Sequence, residues 1–250
     1  MTTRDRTWLG AVTLLFAGSA ALTVIGCNAM ASMGGMPMPG DWTMSMTWMR
    51  MPGQSWPGAA LMFIGMWSVM MLAMMLPVLA PVLWRQRSRP AAGARTHPAA
   101  PPFAAGYFAA WIVPGAVTYP FGAALAEAAM RVPALAHAVP VLAGAGMLLA
   151  AVVQLSAWKR RQLECCRASI DPAPTSPWRQ GWRLGWRCVR CCAPLTAMLL
   201  MLGVMQPAAM ACATLVIAAE RLLPAGVQAA RLCGAAMLLG GTLMLVRALA

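Results

Sequence analysis

The sequence predicts an all-α protein, a polytopic membrane bundle of about six transmembrane helices with both termini in the cytoplasm. Four observations predict it. The 250 residues are 60% hydrophobic and only 10% charged, whereas soluble domains carry roughly 25% charged residues. Several apolar runs exceed the roughly 18 residues that a membrane helix needs. Alternating ten-residue strands are absent, so helices rather than a barrel satisfy the backbone in lipid. Finally, the basic residues fall mainly in alternate connections, which is the pattern of an oriented bundle.

The spans follow in order. The first runs from about Trp8 to Gly26, behind Arg4 and Arg6. Its end, Val24-Ile25-Gly26-Cys27, has the look of a lipid-modified cysteine signal. A signal-anchor helix is the simpler reading, because later spans already hold the chain in the membrane. The second span covers about Pro57 to Trp84, the third Phe103 to Ala126, and the fourth Ala134 to Trp158. The fifth is long, Cys191 to Glu220, and contains Pro207, which kinks or splits a helix. The sixth covers about Ala225 to Val246. A seven-segment count is the main rival.

Orientation follows from lysine and arginine. With six spans, the N-terminus, the 85–102 connection, residues 159–190 and the C-terminus share one side. They hold 15 of the 19 basic residues, and Arg50, Arg131, Arg221 and Arg231 fall on the other. The positive-inside rule places the rich side in the cytoplasm; a bacterial inner membrane is the expected location. The net charge of +13 therefore reads as topology and contact with anionic lipid, with no nucleic-acid partner implied. The whole chain, 1–250, reads as one membrane domain with two notable connections. Residues 28–57 form a Met-rich outer loop, whose Gly and Pro content predicts irregular structure. Residues 159–190 form a basic, cysteine-containing cytoplasmic loop with a turn around Pro172, Pro174 and Pro177.

The chemistry-bearing pattern is Cys188-x-x-Cys191-Cys192. On a helix these three residues share one face. That face continues into the membrane as Met198, Met201, Met205 and Cys212. Thiolate and thioether are soft donors that select Cu(I), zinc or iron–sulfur clusters over hard ions. Cytoplasmic thiols stay reduced, so such a cluster points to metal or redox work rather than a structural disulfide. Cys165 and Cys166 lie on the same side and are candidates to complete the site. The second span adds Met70, Met74 and Met75, within a run that also contains Met66 and Met71. Methionines are ordinary gap-fillers too, but two such helices, a thiol cluster and eight methionines within residues 30–51 point together to copper(I). His97 and His137 are isolated, and Glu220 beside Arg221 reads as an interfacial ion pair. Phosphate-binding loops, dinucleotide fingerprints and nucleophile elbows are missing, so no bond chemistry on a substrate is expected.

These residues are similar to a known family. The run Trp67-x-x-Met70-x-x-Ala73-Met74-Met75-x-Pro77-x-x-x-Pro81 resembles the predicted metal-binding integral membrane proteins, long a domain of unknown function. So does Gly181…Gly185-x-x-Cys188-x-x-Cys191-Cys192, followed by Gly203-x-Met205 and Glu220. The resemblance spans roughly residues 60–225. It implies a multi-helix membrane protein, and some members resemble membrane copper chaperones that supply copper-dependent oxidases. Two positions depart from the family pattern. Gln162 stands where a cysteine usually precedes Cys166-Arg167, and Ala193 where a tryptophan usually follows the double cysteine.

The leading expectation is a membrane protein that binds copper(I) and holds it or passes it to a cuproenzyme or partner chaperone. Two alternatives stay open. One is a membrane thiol–disulfide redox protein built on Cys188 and Cys191. The other is a scaffold with a structural zinc held by Cys165, Cys166, Cys188 and Cys191.

Overall fold

The computed structural model describes residues 3–40, 42–50, 53–87, 100–167, 176–203 and 206–250. Eight α-helices, one short hairpin and a 3-10 turn at Met46–Trp48 are the regular elements among these residues. Helix α1 is Thr3–Ser32, α2 is Trp56–Arg87, α3 is Ala100–Arg131 and α4 is Pro133–Leu155. A short α5, Ala157–Arg167, precedes α6, Pro177–Leu202, α7, Pro207–Leu222, and α8, Gly226–Leu249. Strands β1, Gly35–Met38, and β2, Trp42–Ser45, pair antiparallel. Six of the helices, α1, α2, α3, α4, α6 and α8, are long and apolar enough to cross a membrane. The all-helical, multi-pass architecture is therefore the one the composition predicted.

Neighbours in the bundle follow from specific contacts. Trp8 stacks edge-on against Trp84, so α1 and α2 are antiparallel. The Trp67 indole donates to the Trp111 carbonyl at 2.9 Å, and Phe63 lies against Tyr119, so α2 and α3 are antiparallel too. Helices α3 and α6 run parallel and touch along glycines. A Cβ on Gly181 would strike the Phe103 carbonyl, and one on Gly185 would lie 2.5 Å from that of Tyr107. Small residues permit such close backbone approach, which drives helix association where lipid removes the hydrophobic term. Helix α8 lies antiparallel to α4, with Gly234 against Leu155, Gly241 against Leu148 and Leu245 against Gly144.

The fifth span expected over Cys191–Glu220 is two helices. Helix α6 ends at Leu202, and Gly203 takes φ 108°. Pro207 opens α7 at its first turn, where its missing N–H costs nothing. The chain reverses here, because Arg221 at the end of α7 returns to the level of Cys188. The reversal corrects the expected topology. Trp8 and Arg167 belong to the same end of the bundle, and Gly226 starts α8 beside Arg167. Helix α8 then runs away from that end, so the two termini lie at opposite ends rather than together. Helix α7 has 16 residues, about 24 Å at 1.5 Å per residue, short of the roughly 30 Å hydrocarbon core.

The two connections also take form. Of the Met-rich stretch, Met30 completes α1, while Met36, Met38 and Met44 lie in the hairpin. Met38 and Met44 are buried against Ala126, Ala129 and Ala136, and the Trp42 indole donates to the Ala136 carbonyl at 3.0 Å. Gly34 and Gly40, at φ 74° and 96°, make the turns. The segment expected to be irregular is ordered because two methionines and Trp42 give it an apolar face to bury. Met33 and Met36 remain exposed. Between 159 and 190, α5 and the first half of α6 occupy the described residues.

Candidate metal centre

Helices α2, α5, α6 and α7 meet near the arginine-rich end, and their sulfurs meet with them. Helical spacing puts Cys188, Cys191 and Cys192 on the inner face of α6, and all three are essentially inaccessible. The Cys188 and Cys192 Sγ atoms are 3.9 Å apart, and the Cys188 Sγ is 3.9 Å from the Met75 Sδ of α2. Helix α5 adds buried Cys166, whose carbonyl accepts from the same Arg221 that donates to Cys188. Interaction with the Cys188 and Cys191 thiols, followed by burial, holds the Cys166 thiol well above the usual cysteine range. Cys165, one residue earlier on α5, is exposed. Adjacent residues on a helix point about 100° apart, so only one of the pair can face the cluster.

Two side chains from other helices converge on Cys188. The Tyr107 hydroxyl of α3 donates to its sulfur at 3.0 Å, and the Arg221 Nη1 of α7 donates at 2.9 Å. The glycine contact between α3 and α6 brings Tyr107 this close. The guanidinium thereby sets a positive charge beside the sulfur.

A second polar group lies behind Cys191. Lys159 of α5 is fully buried, and its Nζ reaches the Cys191 carbonyl at 2.8 Å and the Glu220 Oε2 at 2.7 Å. Gln154 donates to the other oxygen of Glu220. Burial alone would lower the lysine's affinity for its proton, but facing Cys191 and Glu220 outweigh burial and raise it above the usual lysine value. The ammonium stays charged, and each buried charge has a partner, as burial requires. This arrangement corrects the expected Glu220–Arg221 ion pair. The carboxylate takes Lys159, and the guanidinium is left for sulfur.

The other residues singled out from the sequence divide. Met70 and Met74 are buried in the same core as Met75. Met198 and Met201 are partly buried against that core, with Met201 next to Gly146 of α4. Met205 lies outside the described residues, as does His97. Cys212 is exposed on α7. Tyr107 and Lys159 were missed. Lys159, Leu163 and Cys166 are the buried residues of α5, at i, i+4 and i+7. That one-faced pattern was available in the sequence. Nothing local marks Tyr107, whose role comes from the packing of α3 on α6.

Among the described residues, no three His, Cys, Asp or Glu side chains stand as a ready coordination shell. The cluster is knit by hydrogen bonds, and its closest sulfur pairs include a thioether.

Comparison with known proteins agrees with this chemistry. No curated protein and no solved structure matches the chain. A family model described as PpoB2, copper chaperone, matches residues 64–244, a stretch that contains Met75, Tyr107, Lys159, Cys166, the α6 cysteines, Glu220 and Arg221. With nearly three quarters of its length matched, the chain belongs to the PpoB2 copper chaperone family.

Proposed function

We propose that this protein binds copper(I) within a bacterial inner membrane and passes it to a partner such as a copper-dependent oxidase. Cys188, Cys191, Cys192, Cys166 and Met75 are the principal donors. The observation that carries the reading is the burial of these five sulfurs where three helices meet. Cationic Arg221 and Lys159 flank them. Thiolates hold a monovalent soft ion, and the cations offset the excess negative charge. Copper is cargo here, moved by exchange of one sulfur for another without a change in its oxidation state. The buried methionines of α2 and the partly buried Met198 and Met201 of α6 supply further thioethers away from the thiols. The arginine-rich end is the cytoplasmic one by the positive-inside rule, where the thiols stay reduced.

Elemental analysis of the anaerobically purified protein in detergent tests this reading, with the Cys188→Ser, Cys191→Ser, Cys192→Ser triple variant beside it. Copper near one or two equivalents in the wild type, lost in the variant, is the expected result. Tightly held zinc that survives copper challenge would replace the proposal with a structural scaffold. Metal in neither protein, with alkylation that tracks redox state, would replace it with thiol–disulfide exchange.

A further inference from the structure

Helices α2, α5 and α7 border a half-open cavity of about 200 Å³ beside the sulfur cluster. Arg85, Arg167, Arg221 and Cys166 line it, with Pro81 and Val82 forming an apolar wall. Three guanidiniums and no carboxylate make it a site for an anion, and the guanidinium fork matches a carboxylate. Two of the arginines are already engaged. Arg167 donates to the Glu220 and Leu223 carbonyls at the end of α7, and Arg221 to Cys188 and the Cys166 carbonyl. Arg85 has no partner among the described residues and is exposed at the rim. The cavity is smaller than the roughly 300–1,000 Å³ of drug-sized pockets, so it admits a small ligand or one end of a longer one. Its lining includes Cys166, which shares the Arg221 guanidinium with the Cys188 sulfur. A ligand matched to this lining carries both a carboxylate and a soft atom.

We propose that this cavity receives copper(I) as an anionic complex of a small carboxylate-bearing thiol, such as cysteine or a cysteinyl peptide. Arg85 captures the carboxylate, and Cys166 is the first protein sulfur to take the ion. The exchange balances without an oxidant or reductant. The bond from copper to the carrier sulfur breaks as a bond to the Cys166 Sγ forms. The Cys166 proton passes to the departing carrier thiolate, and copper remains monovalent. Cys188, held to the same Arg221 as Cys166, is next in line. The inference rests on the copper(I) reading and adds the chemical class of the donor.

The test follows anaerobic copper loading of the full-length protein in detergent by rapid mixing. Two carriers are compared: the anionic copper(I)–glutathione complex and the cationic copper(I)–acetonitrile complex. Arg85→Gln should slow loading from glutathione by about tenfold, and Arg85→Glu by more, the scale of electrostatic steering. Loading from acetonitrile should not slow in either variant, and the copper finally bound should not change. Added salt should slow wild-type loading from glutathione. Glutathione rates indifferent to Arg85, or equal slowing with both carriers, would overturn the role of the cavity alone. Failure of wild-type protein to load from either carrier would instead overturn copper binding itself.

Discussion

Cys165 and Cys166 are chemically identical and adjacent, yet the helix gives them opposite surroundings. Cys166 is buried against two other sulfurs, and Cys165 faces outward. Burial keeps bulky reagents from the Cys166 sulfur, whereas exposed Cys165 stands open to them. A charged, water-soluble maleimide applied at pH 7 should therefore modify Cys165 well before Cys166, as read by mass spectrometry of the peptide that contains both. In a Cys165→Ser variant, which removes steric competition, labelling of Cys166 should stay slow. Equal rates for the two cysteines at pH 7 would mean that α5 does not present Cys166 to the cluster. At this scale the sequence was readable in part. Cys188, Cys191 and Cys192 share a face by spacing alone, and the structure seats all three together. Tyr107 and Arg221 were invisible because their contacts to Cys188 join residues 81 and 33 positions apart. Glu220 was read with its sequence neighbour, although burial gave it a partner 61 residues away.

At the scale of elements, the centre depends on how closely α3 and α6 approach. Gly106, Gly181 and Gly185 form that seam, and backbone of the opposite helix occupies the space where each Cβ would sit. Gly181→Ala must push the helices apart, because a carbonyl cannot rotate aside as a flexible side chain can. Overpacking of this kind costs about 1–3 kcal/mol. It should also lengthen the Tyr107–Cys188 bond, which lies one turn further along α3 and two along α6. The variant is expected to unfold at a lower temperature in detergent, with Cys188 more open to alkylation. Gly65, whose Cβ would meet nothing within 4 Å, supplies the control, since Gly65→Ala should change neither property. Retention of wild-type stability in Gly181→Ala would show that the seam is looser than the structure has it. The sequence registered Gly181 and Gly185 only as part of a family pattern, because their purpose lies in the helix they touch. The Met-rich stretch illustrates the same limit. Its composition favoured irregular chain, and the burial of Met38 and Met44 against α3 and α4 decided otherwise.

At the scale of the whole molecule, a four-residue break changes the topology. Counting Cys191–Glu220 as one span returned the C-terminus to the side of the N-terminus, because no run of polar residues marks the reversal at Gly203. A positive-φ glycine and a helix-opening proline accomplish it without polarity. Hydropathy registers water exposure, and a short apolar hairpin inside a bundle has little to register. The corrected path also sharpens the charge pattern. Arg221 and Arg231, assigned to the outer side by the six-span count, come to the arginine-rich end, and only Arg247 leaves it. The positive-inside asymmetry is thus stronger with the chain folded as observed. Reporter fusions test this directly. A reporter active only outside the cytoplasm, joined after Ala250, should be active, and a fluorescent protein that matures only in the cytoplasm should be dark there. The same pair placed before Thr3 should give the reverse. Fusions at Leu202, in α6 just before the break, should report the side on which the C-terminus lies, and fusions at Leu223 the opposite side. Matching signals at both termini would restore the six-span path. They would also separate Arg221 from Cys188, because α7 could no longer return to the cysteine end of α6.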